Sequence, residues 1–188
     1  MVFRRRKKDP YKETIYALYN AKQALGKIEL LMDRISNRRR RMLEMTAELE
    51  MRGQKYLAKR YAQEIVKLDK IYTRLSNLHL VLEKIAVSLE YALTIRNFKG
   101  IAHEVLSITS EIKRLPESTI PDISLSLTNL EYALRSLEDM DLSMIDMMAY
   151  EPGSSSEVEK ILEEAREILG KKLMADIDLE PSGVKNSI

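Results

Sequence analysis

The sequence predicts an all-α protein built on an elongated antiparallel helical hairpin with shorter C-terminal helices. Three observations predict it. The 188 residues contain only 6 Gly, 5 Pro and 2 Phe and no Trp, while 45% are hydrophobic and 32% charged, a composition of long helices. No proline falls between Pro10 and Pro116, and the only glycines in that stretch are Gly26, Gly53 and Gly100. Leu68, Ile71, Leu75, Leu78, Leu82, Ile85, Leu89 and Ala92 alternate three- and four-residue steps without a break, which is a coiled-coil seam. Sandwiches and barrels are excluded, because they need frequent turn residues and many aromatics.

The elements follow in order. Residues 1–9 are a basic tail. From residue 10, apolar side chains at Ile15, Leu18, Leu25, Ile28, Met32, Ile35, Met42, Met45 and Leu49 mark one stripe on a first helix, which runs to about Met51. Arg52-Gly53-Gln54 offers the turn that forms the hairpin tip. The second helix, residues 55 to 97, would be roughly 65 Å long and would run back along the first. At Asn97-Phe98-Lys99-Gly100 the heptad phase breaks. A new stripe then begins at Ile101, Val105, Ile108, Ile112 and Leu115, so Gly100 is the expected hinge, either as a bend or as a helix passing through with its face rotated. Leu115-Pro116 ends that segment, and Pro121 suits the first turn of a fourth helix carrying Ile123, Leu127, Leu130, Leu134, Leu137, Met144 and Met148. Its polar face is acidic, with Glu131, Glu138, Asp139, Asp141 and Asp146. The core is therefore expected over residues 10–150. Residues 151–156 read as a flexible linker. Ser156 and Glu159 form a capping box that opens a short helix over residues 157–175, and residues 176–188 read as a disordered tail.

The formal net charge of +2 conceals a strong asymmetry. Residues 1–74 hold 20 Lys and Arg against 9 Asp and Glu, and residues 75–188 hold 11 against 20. The basic half calls for an anionic partner, and the two halves should attract each other. Two basic clusters stand out. Phe3 followed by Arg4, Arg5, Arg6, Lys7 and Lys8 combines an insertable apolar tip with adjacent cations, each adding about 1 kcal/mol near an anionic leaflet. Arg34, Arg38, Arg39, Arg40 and Arg41 make a second patch, for membrane or subunit contact. The four consecutive arginines cover more than one turn and so cannot all meet one surface.

Catalytic chemistry is absent from the sequence pattern. Zero Cys removes disulfides, thiolate metal sites and Cys nucleophiles, and agrees with a reducing compartment. His79 and His103 lack the Glu three positions earlier that a helical metal site would supply, so no metal or cofactor is expected. No phosphate loop, serine elbow or zincin helix is present. The carboxylate pairs Glu163-Glu164 and Asp139-Asp141 read as solvated helix faces. The chain is expected not to be an enzyme. No apolar run is long enough to span a bilayer, and the basic N-terminus lacks the apolar stretch of a secretory signal. A static coiled-coil adaptor and a basic helical nucleic-acid-binding protein remain as alternatives. Sparse aromatics near the basic clusters speak against nucleic acid as a partner.

The layout resembles the ESCRT-III (Snf7) superfamily: basic first helix, tight turn at Arg52-Gly53, longer second helix, offset third segment, acidic fourth helix, linker and small acidic final helix. Leu57-Ala58-Lys59-Arg60-Tyr61-Ala62-Gln63-Glu64-Ile65 and Leu82-Glu83-Lys84-Ile85-Ala86-Val87-Ser88-Leu89-Glu90 look most like the archaeal cell-division (CdvB-like) branch. The resemblance covers residues 10–170. It implies a protein that polymerises with itself and with ESCRT-III paralogues on the cytoplasmic face of the membrane, at a division site, and drives constriction or scission. It also implies remodelling by a Vps4-type AAA ATPase, acting directly or through a paralogue. The family's helical docking motif is Leu-x-x-Arg-Leu-x-x-Leu followed by a basic residue. Here Leu162, Ala165, Arg166 and Leu169 are followed by Gly170, so Ile161, Leu162, Arg166 and Leu169 form a partner-binding helix that departs from that pattern.

Overall fold

Pro10 sits at the first helical position, where its missing N–H costs nothing, and Asp9 caps the end by accepting from the Tyr11 N–H at 3.0 Å. In the computed structural model, which describes residues 9–140 and 155–177, these residues open α1, Pro10–Met51. It is 42 residues and about 63 Å long. Its C-terminus closes in a Schellman turn. Gly53 takes φ +73°, its N–H reaches the Glu50 carbonyl at 3.0 Å, and the Gln54 N–H reaches that of Leu49 at 2.9 Å. The chain reverses there into α2, Lys55–Ile95. Ion pairs Arg39–Asp69, Glu29–His79 and Lys22–Glu90 step down α1 as they step up α2, the mark of an antiparallel hairpin.

The second helix stops at Arg96, which adopts the left-handed conformation (φ 59°), and Asn97 caps α3, Phe98–Ile112. The break therefore falls at Arg96–Asn97, and Gly100 lies within the first turn of α3 rather than at the bend. A single 3-10 turn, Pro116–Thr119, leads into α4, Pro121–Glu138. Arg74 meets Glu117 at 3.5 Å, and Lys27 reaches the Asp122 carbonyl at 3.4 Å, so the chain has climbed back to mid-hairpin before α4 begins. His103–Glu138 and Lys113–Glu131 then run α4 antiparallel to α3, back toward the base. Met144, Met148, Asp141 and Asp146, assigned by the sequence to the fourth helix, lie outside the described residues, as does most of the expected linker. Beyond them α5 spans Ser155–Ile177, opening one residue before the expected cap and running into the segment read as tail. Residues 1–149 form one compact unit and 150–188 another.

The core of the first unit differs from the expected one on α1. Thr14, Ala17, Ala21, Ala24 and Ile28 are fully buried, whereas Ile15 is 44% exposed and Leu18 and Leu25 only half-buried. Both α2 and α4 pack on this stretch, and alanine at steps of three and four lets two helices approach one face closely. On α2, Leu75, Leu78, Leu82, Ile85, Leu89 and Ala92 are buried as their spacing predicts, while Leu68 is half-buried and Ile71 exposed. The polar side chains trapped in this core satisfy themselves: Thr14, Asn20, Thr109 and Ser126 each donate to the carbonyl four residues back.

Candidate membrane and subunit contact surfaces

The charge asymmetry predicts that the acidic region is drawn onto the basic hairpin, and α4 does lie on α1. Charge is not what holds it. Ile123, Leu127, Leu130, Leu134 and Leu137 are completely buried, each worth about 1.5–3 kcal/mol of transfer free energy. The acidic residues of α4 look elsewhere. Glu131 bonds Lys113 and Arg135, which together hold its carboxyl below the usual range, Lys113 contributing most. Glu138 meets His103 at 2.6 Å. Among the described residues only Arg74–Glu117 ties the hairpin to residues 117–138 by an ion pair.

Because α3 and α4 reach only as far as Lys27 and Arg74, the hairpin continues beyond them as two helices. Leu43, Met45, Met51, Tyr56, Leu57, Val66, Ile71 and Tyr72 are exposed there. The second basic patch sits on this projecting half, and its arginines divide as helix geometry requires. Arg34, Arg38 and Arg41 share one side of α1 at steps of four and three, and Lys27, the α1 residue that reaches the start of α4, extends the same line toward the base. Arg39 turns to the other flank and bonds Asp69 at 2.6 Å, and Arg40 donates to Asn37 at 3.3 Å. Arg34 and Arg41 have no ion pair among the described residues. Across the groove from Arg38, Lys67 bonds Glu64 at 2.6 Å and holds its carboxyl low, with Arg38 and Arg60 adding to the effect. The Arg34–Arg38–Arg41 side is thus a strip of cationic potential bordering half-buried Leu31, Met42 and Leu49.

The other predicted sites are placed as follows. Phe3, Arg4, Arg5, Arg6, Lys7 and Lys8 lie outside the described residues. Arg52 and Gly53 form the hairpin tip as expected. On α5, Val158, Ile161, Leu162, Ile168 and Leu169 are all exposed, with Arg166 on the same face as Leu162 and Leu169. His79 sits between Glu29 (2.9 Å) and Glu83 (3.6 Å), linking α1 to α2, and His103 is on the surface beside Glu138. No group of three or more His, Asp or Glu among the described residues could hold a metal ion, and no described helix is long and apolar enough to cross a membrane. Among the described residues, Val66, Asp69, Lys70, Thr73 and Arg74 line a shallow groove on α2.

Two features escaped the sequence reading. The alanine ridge of α1 has the same three-and-four step as the leucine seam, and was hidden by larger neighbours one position away. The exposed Met51 and Tyr56 carry no periodic signal, since they flank a turn.

Against known proteins, the chain is 22% identical over 167 residues to Cell division protein B1 of Sulfolobus acidocaldarius, an alignment covering 88% of this chain and 78% of that protein. No family model matches the chain, and no solved structure matches it.

Proposed function

We propose that this chain is a membrane-associated, filament-forming protein of archaeal cell division, of the ESCRT-III-like kind its layout resembles. The observation that carries the reading is the projecting half of the hairpin. Its apolar side chains Leu43, Met45, Val66 and Ile71 are exposed, Met45 one helical turn from Arg41 on the flank of the unpaired cations Arg34 and Arg41, and such a surface is covered at low cost only by an anionic bilayer or another subunit. The similarity to Cell division protein B1 supports the same reading, because it runs through hairpin and bundle alike.

In mechanism, the stiff hairpin is the repeating strut. A contact that joins the basic half of one copy to the acidic half of the next is heterologous, and one that does not close on itself builds a filament. The N-terminal cluster Phe3–Lys8 and the Arg34–Arg38–Arg41 strip hold that filament on the inner face of the membrane. The exposed face of α5 recruits paralogues, or a Vps4-type AAA ATPase directly or through one of them. The chain itself performs no chemistry and needs no cofactor.

The test is electron microscopy of the purified protein with and without anionic liposomes. Filaments that coat or deform the liposomes are expected. A small closed oligomer indifferent to lipid would replace this reading with a static coiled-coil adaptor. Binding to nucleic acid that survives removal of residues 1–8 and falls steeply with salt would replace it with a nucleic-acid-binding one.

A further inference from the structure

The two most exposed large apolar side chains on the described residues stand on either side of one turn. Met51, the last residue of α1, is 88% exposed, and Tyr56, the second of α2, is 73% exposed. Leu57 beside them is 41% exposed. Nothing in the hairpin's own packing requires them to be apolar.

Their surroundings specify a partner. Arg52, Lys55, Lys59 and Arg60 are all exposed, four cations within the turn and the first helical turns after it, against Glu48 and Glu50 before it. Glu48 is engaged with Arg52 at 3.8 Å. The backbone at the tip is also ready to leave water. The Schellman bonds of Gly53 and Gln54 satisfy the carbonyls of Glu50 and Leu49, the groups a helix end would otherwise present to solvent. A convex end with a thioether and a phenol at its apex, ringed by Lys and Arg, matches the interfacial zone of an anionic bilayer. There Tyr and Met bury their apolar parts, Tyr keeps its hydroxyl among headgroups, and the cations meet phosphate.

We propose that the hairpin tip, through Met51 and Tyr56 with Arg52, Lys55 and Lys59, is a second membrane contact that inserts shallowly into an anionic leaflet. The inference rests on the membrane reading above and adds to it. The tip lies a helix length of about 63 Å from the start of α1 at Pro10, so it is a contact separate from the basic cluster that precedes Pro10 in the sequence.

The absence of Cys from the sequence makes the test direct. Gln54→Cys places a single label between Met51 and Tyr56, and Lys84→Cys places one on the exposed side of α2 far from the tip. An environment-sensitive fluorophore at residue 54 is expected to shift to the blue with phosphatidylglycerol-containing vesicles and not with pure phosphatidylcholine, while the label at residue 84 stays in water. The double variant Met51→Gln with Tyr56→Gln, altering two exposed positions, is expected to weaken co-sedimentation about tenfold with its circular dichroism unchanged. A protein that sediments with vesicles while residue 54 remains in water overturns the tip contact and leaves the membrane reading standing. A protein that does not sediment with anionic vesicles overturns both. A shift at residue 54 that rises with protein concentration without lipid assigns the tip to a neighbouring subunit and overturns the proposal.

Discussion

Asn97 and Gly100 form one structural device. The Asn97 Oδ1 accepts from the Gly100 N–H at 3.2 Å, capping α3, and a Cβ at residue 100 would stand 2.8 Å from that same oxygen. The glycine is there so that the cap fits.

The pair should therefore be strongly non-additive. Asn97→Ala is expected to cost about 1 kcal/mol, as the loss of a helix cap does. Gly100→Ala pushes the Asn97 side chain off the helix end, but returns a similar amount through better helix propensity, and should fall within about 0.5 kcal/mol of wild type. Adding Asn97→Ala to Gly100→Ala should then cost almost nothing. Urea melts of the four proteins close the cycle. Additive effects would mean that the cap and the glycine act separately.

The alanine ridge gives a second test. Ala21 is wholly buried where α1 meets its neighbours, so Ala21→Leu is expected to destabilise by about 1–3 kcal/mol through overpacking, although leucine is the more hydrophobic residue. Ile15→Gln, on a side chain 44% exposed, should cost less than about 1 kcal/mol. Thermal melting ranks them, and the reverse order would restore the larger residues to the core.

These residues also show how far the sequence could be read. The hairpin, its tip at Arg52–Gly53 and the α2 seam from Leu75 to Ala92 were legible, because uninterrupted periodicity and one glycine turn leave few alternatives. Ala17, Ala21 and Ala24 were not. An alanine stripe is buried only when the neighbour is close, and that closeness is a tertiary fact. The phase break at Asn97–Gly100 makes Gly100 the expected hinge, as a bend or with the helix running through it, yet it is Arg96 that takes the left-handed turn. The net charges of the two halves predict attraction between them. The acidic residues of α4 instead bond Lys113, His103 and Arg135, and apolar burial does the closing. Of the site residues, the division of Arg38 from Arg39 follows from helix geometry, whereas the ion pair to Asp69 depends on the hairpin register.

Glu131 supplies a pH dependence. Its hydrogen bonds from Lys113 and then Arg135 depress its folded-state pKa, so the stabilisation is full above the unfolded carboxylate value of about 4.3 and is lost as pH falls through the lower folded value. Lys113→Met should narrow the stability difference from wild type as pH drops from neutral toward 3, the difference at neutral pH being at most about 1 kcal/mol. Urea unfolding at a series of pH values measures it. A difference that widens on acidification would show that Lys113 stabilises by some route other than the carboxylate.

The N-terminal cluster is tested by charge reversal. Arg4→Glu, Arg5→Glu and Arg6→Glu together should abolish co-sedimentation with anionic liposomes at moderate salt, because three attractive charges become repulsive beside a negative leaflet. Unchanged co-sedimentation would shift the main lipid contact to the strip of Arg34, Arg38 and Arg41.

The last prediction concerns the acidic C-terminal region as a restraint on assembly. Residues 117–188 hold 16 Asp and Glu against 6 Lys and Arg, opposite in sign to the hairpin's cationic strip. Helix α5 exposes Ile161, Leu162, Ile168 and Leu169, an apolar face that needs a cover, beside the carboxylates of Glu163, Glu164 and Glu167. The projecting half of the hairpin also exposes apolar side chains, Leu43, Met45, Val66 and Ile71, and one of its flanks carries Arg34, Arg38 and Arg41. The prediction is that α5, tethered in the same chain and so at high effective concentration, competes with a neighbouring subunit for the hairpin. Truncation after Tyr150 should therefore lower the concentration at which filaments pellet, at matched salt. The difference should shrink as salt rises, because screening weakens the charged part of the contact. A truncated chain that assembles no more readily would remove the restraint. One that no longer assembles at all would make α5 part of the filament contact itself.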